Sequence, residues 1–205
     1  MKTDYLFLGD SITDSNHLWM PETGSLGDGY VAMLAKQLGP DAQITNKGID
    51  GFTVAALLER LNRRFLKGHP DVISLMIGIN DIGVALNTNV TLNDLRFTEH
   101  YQEVLMRLHD SGAAVLCSGP FIFPHPQKYQ LWIPYVLELE QIMGEICASL
   151  SLPFIPLHAY MTSLVQNEDY NAVTVDGIHP TTYGHEKLAD YLLPHLLDLA
   201  RTRSV

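Results

Sequence analysis

The feature that most constrains this chain is a regular alternation of short apolar runs with longer amphipathic stretches. The short runs fall at residues 5–8, 42–46, 72–77, 113–117 and 154–155, and their length and β-branched or aromatic content read as buried strands. Between them, apolar side chains recur at helical spacing. Tyr30, Val31, Leu34 and Leu38 form one stripe, closed by Gly39-Pro40. Leu57, Leu58, Leu61 and Phe65 form a second, closed by Gly68 and Pro70. Phe97, Tyr101, Val104, Leu105 and Leu108 form a third, ending at Ser111-Gly112. Val136, Leu139, Met143, Ile146 and Leu150 form a fourth, and Leu188, Leu192, Leu196 and Leu199 the last. Strand alternating with helix requires right-handed crossovers and a parallel sheet covered on both faces. The expectation is a three-layer α/β/α sandwich with a central parallel sheet of about five strands, built as a single domain over residues 1–205.

Composition narrows the function. A formal charge of -10 opposes binding to nucleic acid, which takes its affinity from Lys and Arg. Arg60, Arg63, Arg64 and Lys67 cluster, but in an amphipathic segment, where they read as a solvated helix face. The two cysteines, Cys117 and Cys147, sit in apolar segments and are expected as buried free thiols. The N-terminal apolar run is too short for a signal segment or a membrane span, so a cytoplasmic protein is expected. A homo-oligomer is compatible with all of this.

In parallel sheets, ligands bind beyond the carboxyl ends of the strands. Polar residues just after the apolar runs are therefore the candidates for chemistry. The first run ends in Gly9-Asp10-Ser11-Ile12-Thr13, which aims a serine hydroxyl at that edge. The second ends in Asn46-Lys47-Gly48-Ile49-Asp50-Gly51, where glycine lets backbone N–H groups approach a ligand. The third ends in Gly78-Ile79-Asn80-Asp81; Asn80 offers an amide donor, and Asp81 reads as a loop or capping residue without chemistry. Ahead of the last helix lies Asp176-Gly177-Ile178-His179-Pro180. Histidine suits a general base, and a carboxylate three residues earlier can fix its tautomer. The other histidines read more plainly, with His100, His109, His185 and His195 on exposed helix positions. Each block alone also reads as an ordinary turn. Four separate turns, each supplying a different catalytic part in this order, are another matter.

The ordered set Gly9-Asp10-Ser11, Gly48 within Asn46-Lys47-Gly48, Gly78-Ile79-Asn80-Asp81 and Asp176-Gly177-Ile178-His179 resembles the GDSL, or SGNH, hydrolase family. The resemblance implies a flavodoxin-like fold and ester hydrolysis without metal or other cofactor. It implies Ser11 as nucleophile, His179 as acid/base and Asp176 as its orienting carboxylate. The Ser11 and Gly48 N–H groups with the Asn80 side chain would form the oxyanion hole. Gly9 to Asp14, Gly29-Tyr30-Val31 and Asn46-Lys47-Gly48-Ile49 look most like the bacterial carbohydrate acetylesterases, acetylxylan esterases among them. A small acyl ester, first an acetyl group on a carbohydrate, is the implied substrate. A short-chain lipid or thioester is the alternative.

Aromatic side chains in Gly119 to Pro126, with Tyr129, Trp132 and Trp19, suit either a substrate cleft or the core. Two rivals remain at this stage. A metal-dependent phosphoesterase would draw ligands from Asp10, Asn80, Asp176 and His179, although the first strand lacks the Asp-x-His pair such a site needs. The other rival is a non-catalytic carbohydrate-binding domain.

Overall fold

A computed structural model describes residues 2–20, 22, 24–61, 66, 69–166 and 168–203. In chain order the elements are β1 (Thr3–Gly9), α1 (Ser11–Asp14), α2 (Tyr30–Leu38), β2 (Ala42–Gly48), α3 (Val54–Arg60), β3 (Val72–Met76) and α4 (Ile79–Thr88). There follow α5 (Phe97–Asp110), β4 (Ala114–Ser118), a 3-10 turn (Gln127–Leu131), α6 (Ile133–Ser149) and β5 (Phe154–Ile155). The chain closes with α7 (His158–Leu164), α8 (Tyr170–Val173) and α9 (Thr182–Arg203).

The five strands form one parallel sheet in the order β2-β1-β3-β4-β5. The chain moves outward from β1 to β2, then returns to the other side of β1 to lay down β3. That reversal opens a crevice beyond the carboxyl ends of β1 and β3. The register keeps the edge level, since Gly9 pairs with both Gly48 and Met76.

Period-two alternation divides the core. Leu6, Leu8, Ile73, Leu75, Val115 and Cys117 face one layer, with α3, α5 and α6 packed on them. Tyr5, Phe7, Val72, Met76 and Leu116 face the other, beneath α2, α7 and α9. Both faces are apolar, as a sheet covered on both sides requires. Truncating a fully buried residue such as Leu75 to alanine carries a cost of roughly 2–5 kcal/mol.

The expected strands are present with shifted ends. The run at 42–46 continues to Gly48, while β3 stops at Met76 and leaves Ile77 buried just beyond it. The run at 113–117 starts and ends one residue later. The second helical stripe is cut short, because α3 ends at Arg60. Arg60 is exposed; Arg63, Arg64, Phe65, Lys67 and Gly68 lie outside the described residues. Cys117 and Cys147 are buried free thiols. Among the described residues, no helix is long and apolar enough to cross a membrane.

Candidate active site

Ser11 is held at the sheet edge by a tight strand-to-helix turn. Asp10 caps the four-residue α1, its Oδ1 accepting the Ile12 N–H at 3.1 Å. Gly9 makes the turn sterically feasible: a Cβ there would lie 2.4 Å from the Met76 carbonyl oxygen and 2.2 Å from Thr13 Oγ1. The Ser11 N–H, the first of α1, has no intramolecular acceptor among the described residues.

Asp176 and His179 stand on the loop between α8 and α9. An antiparallel bridge between Thr174 and Pro180 closes this loop, and the Val175 N–H donates to the His179 carbonyl at 2.8 Å. Asp176 Oδ1 accepts the backbone N–H groups of Ile178 and His179 at 2.9 and 2.8 Å. Its Oδ2 is left to His179 Nδ1, 2.8 Å away. His179 Nε2 lies 2.9 Å from Ser11 Oγ, across 168 residues of sequence. With Nδ1–H donating to the carboxylate, Nε2 is the acceptor for the serine hydroxyl. The three side chains thus form one hydrogen-bonded line. Burial works to raise the Asp176 pKa, but the N–H and ring hydrogen bonds from His179 and the Ile178 N–H outweigh it and hold the carboxyl below the ordinary value. The hydrogen-bonded pair stays open to solvent, with His179 and Asp176 side chains 44% and 47% exposed, so a ligand can reach it.

Asn80 sits in the first turn of α4, and its Nδ2 donates to the Phe52 carbonyl at 3.0 Å. An amide nitrogen carries two protons, so one remains for a ligand. Gly48 behaves differently from the sequence expectation. It is buried, and its N–H donates to Asn46 Oδ1 at 2.9 Å. Gly51 instead shares a cavity wall with Asn80, and its N–H has no acceptor among the described residues. The second glycine of Gly48-Ile49-Asp50-Gly51 was the signal available for it.

Asp81 is a capping residue, as its sequence context suggests, but the helix that it caps is distant in the chain. Asp81 accepts the Val54 N–H on both carboxylate oxygens at 3.1 Å and so caps α3 from the start of α4. Burial pushes its pKa up to about 7, against the pull of those bonds. Burial also pushes Asp10 up to about 7, against the Ile12 N–H and the nearby His179. His185 is not on an exposed helix face. It is buried, Nδ1 accepts the Tyr30 N–H at 3.2 Å, and burial lowers its pKa to about 4. Phe121 and Phe123 fill the core, whereas Trp132 lines the cavity beside Asn80 and Trp19 is 81% exposed. Among the described residues, no three His, Cys, Asp or Glu side chains are grouped as ligands for one metal ion.

A parallel sheet in the order β2-β1-β3-β4-β5, with these side chains at its carboxyl edge, defines a doubly wound α/β protein with its site at the strand ends. More narrowly, the chain belongs to the GDSL-like lipase/acylhydrolase family, whose model matches residues 7–187. An acetylxylan esterase of Geobacillus stearothermophilus is 28% identical over 206 residues, covering 90% of this chain and 89% of that protein. A solved catalytic mutant of Axe2, an acetylxylan esterase from the same organism, superposes with a TM-score of 0.82 at 24% identity, over 96% of this chain and 95% of that one. LAE5, an alpha/beta hydrolase enzyme from the metagenome of Lake Arreo, Spain, gives 0.79 at 20% identity, over 96% of each chain. Both superpositions show the shared fold. The chain is a carboxylic ester hydrolase.

Proposed function

We propose that this protein removes small acyl groups, acetyl first, from a carbohydrate through an acyl-enzyme on Ser11. The observation that carries the reading is the line Ser11–His179–Asp176, closed at 2.9 and 2.8 Å. His179 Nε2 takes the hydroxyl proton as Ser11 Oγ attacks the ester carbonyl carbon. The carbonyl electrons move onto oxygen. That oxyanion is met by the Ser11 N–H, the free Asn80 Nδ2 proton and, in place of the engaged Gly48 N–H, the N–H of Gly51. As the intermediate collapses, the alcohol leaves with the proton from His179. Water then repeats the sequence, with His179 as base, and releases the acid. Asp176 stays ionised throughout and stabilises the imidazolium.

Support for the residue roles comes also from the family relatives. The catalytic mutants of Axe2 replace a serine, an aspartate and a histidine, the last two spaced three apart as Asp176 and His179 are. The carbohydrate substrate rests on the acetylxylan esterase relatives. One structural observation favours a second reading of the acyl half. The cavity of about 340 Å³ beside Asn80 is walled by Ile79, Gly83, Val84, Trp132 and Ile178, and holds more than a methyl group. The test is a substrate panel: acetylated xylo-oligosaccharides alongside p-nitrophenyl esters from acetate to octanoate. Acetate release from the sugars, with activity falling beyond short acyl chains, is the expected result. Failure to hydrolyse any ester in the panel would refute the proposal.

A further inference from the structure

A second cavity, of about 380 Å³, shares no lining residue with the first and is walled by Ser11 and His179 together with Ser15, Asn16, Asp28 and His185. The proposed mechanism assigns the halves of the ester to the two cavities. The carbonyl oxygen must meet Asn80 and Gly51, which line the first cavity. The departing oxygen must receive its proton from His179, which lines the second. The alcohol half therefore occupies the second cavity.

The wall of this cavity is built, and it is acidic. Asp28 Oδ1 accepts from Ser15 Oγ at 2.9 Å and Oδ2 accepts from Asn16 Nδ2 at 3.0 Å, with a longer contact of 3.3 Å from the same amide to Oδ1. Ser15 and Asn16 both hold left-handed backbone, with φ of 40° and 68°, and so present their side chains side by side. Gly29 presses the Asp28 loop onto them: a Cβ there would lie 2.4 Å from Ser15 Oγ and 2.9 Å from His185 Cε1. Because His185 Nδ1 accepts the Tyr30 N–H, its proton is on Nε2, 3.5 Å from Ser15 Oγ. A carboxylate has about four lone-pair positions, so these contacts leave Oδ2 room for a further donor. Among the described residues, neither Lys nor Arg lines the cavity.

We propose that Asp28 determines specificity for the alcohol half of the ester, its fixed carboxylate accepting hydroxyl groups of a carbohydrate in the cavity beside Ser11 and His179. The inference rests on the esterase reading and deepens it. A sugar supplies the hydroxyl donors that Asp28, Ser15 and Asn16 are arranged to meet. A phosphate-bearing alcohol or thiol, such as a phospholipid headgroup or a nucleotide-linked thiol, brings negative charge against Asp28 with no Lys or Arg among the described residues of the wall to offset it.

The test compares the full chain with Asp28→Ala and Asp28→Asn on two substrates, acetylated xylobiose and p-nitrophenyl acetate. The readout is the ratio of kcat/KM for the sugar ester to that for the aryl ester. In Asp28→Ala the ratio should fall by roughly tenfold or more, with the loss in KM for the sugar ester. Asp28→Asn, which keeps one acceptor oxygen and can keep one of the two loop contacts, should recover part of it. An equal loss on both substrates, with a lowered Tm, would make Asp28 only a loop staple and overturn the proposal. So would an unchanged ratio, or a wild-type enzyme that cleaves the aryl ester but no acetylated sugar. A wild-type chain inactive on both would overturn the esterase reading, and this inference with it.

Discussion

Replacing Asn80 by alanine separates transition-state stabilisation from folding. In the resting site one Nδ2 proton goes to the Phe52 carbonyl at 3.0 Å, which locks the amide plane and leaves the second proton for the oxyanion. Loss of one such donor raises the barrier by ~2.7–4 kcal/mol, or about a hundred- to a thousandfold in kcat. KM should move little, because the interaction strengthens only as charge develops on oxygen. The structural cost is one partly buried hydrogen bond, about 0.5–1.5 kcal/mol and a few degrees in Tm. Asn80→Asp keeps the shape but turns an acceptor toward both the Phe52 carbonyl and the oxyanion, so it should be at least as inactive. Steady-state rates on p-nitrophenyl acetate, with thermal melts of the same preparations, measure both effects. A folded Asn80→Ala enzyme with kcat within about fivefold of wild type would refute the oxyanion assignment.

Other consequences follow from the same geometry. Asp176→Ala should cost less in kcat than Ser11→Ala or His179→Ala, by roughly tenfold or more, because the carboxylate acts only through the imidazole; equal losses would argue against that ranking. Asp10 bears on stability rather than rate. Its pKa is raised in the fold from 3.8 to about 7, so its contribution is fully present below the unfolded value and is lost as pH rises from about 4 through about 7. Asp10→Asn keeps an acceptor for the Ile12 N–H and should flatten the fall in unfolding free energy between about pH 4 and 7, by an amount on the order of a few kcal/mol; parallel curves for variant and wild type would contradict this. Gly9→Ala drives a methyl group into the Met76 carbonyl and should destabilise the fold by roughly 1–3 kcal/mol, read by denaturant melts.

The architecture was legible because a two-faced parallel sheet imposes a simple pattern. Buried strands such as Val72–Met76 are continuous apolar runs, and amphipathic helices such as Phe97–Asp110 repeat at their own period. The helix Ile79–Thr88 was not legible, since its first turn, Ile79-Asn80-Asp81, carries the polar residues of a turn. Its start is fixed instead by tertiary contacts, with Asp81 bonded to the N-terminus of α3. His185 was misplaced for a similar reason. Helical spacing says which face of α9 is apolar, but not that the Tyr30 N–H waits there for an imidazole acceptor. The glycine of the second strand end shows how far spacing alone can go. Gly48 and Gly51 are equivalent as letters, and only the hydrogen bond from Gly48 to Asn46 separates an engaged donor from a free one. The Ser11, Asn80, Asp176 and His179 blocks were legible as a set because each follows or faces the same level edge of the sheet.

The central claim is that Ser11 becomes covalently acylated with His179 as its base. Incubation with an organophosphonate that reacts with activated serines, followed by intact-mass and peptide analysis, examines that claim directly. The account predicts one adduct per chain, on the peptide carrying Ser11, formed in step with the loss of ester turnover and absent from Ser11→Ala and His179→Ala. An adduct at another residue, or a Ser11→Ala chain that still turns over p-nitrophenyl acetate at the wild-type rate, would contradict it.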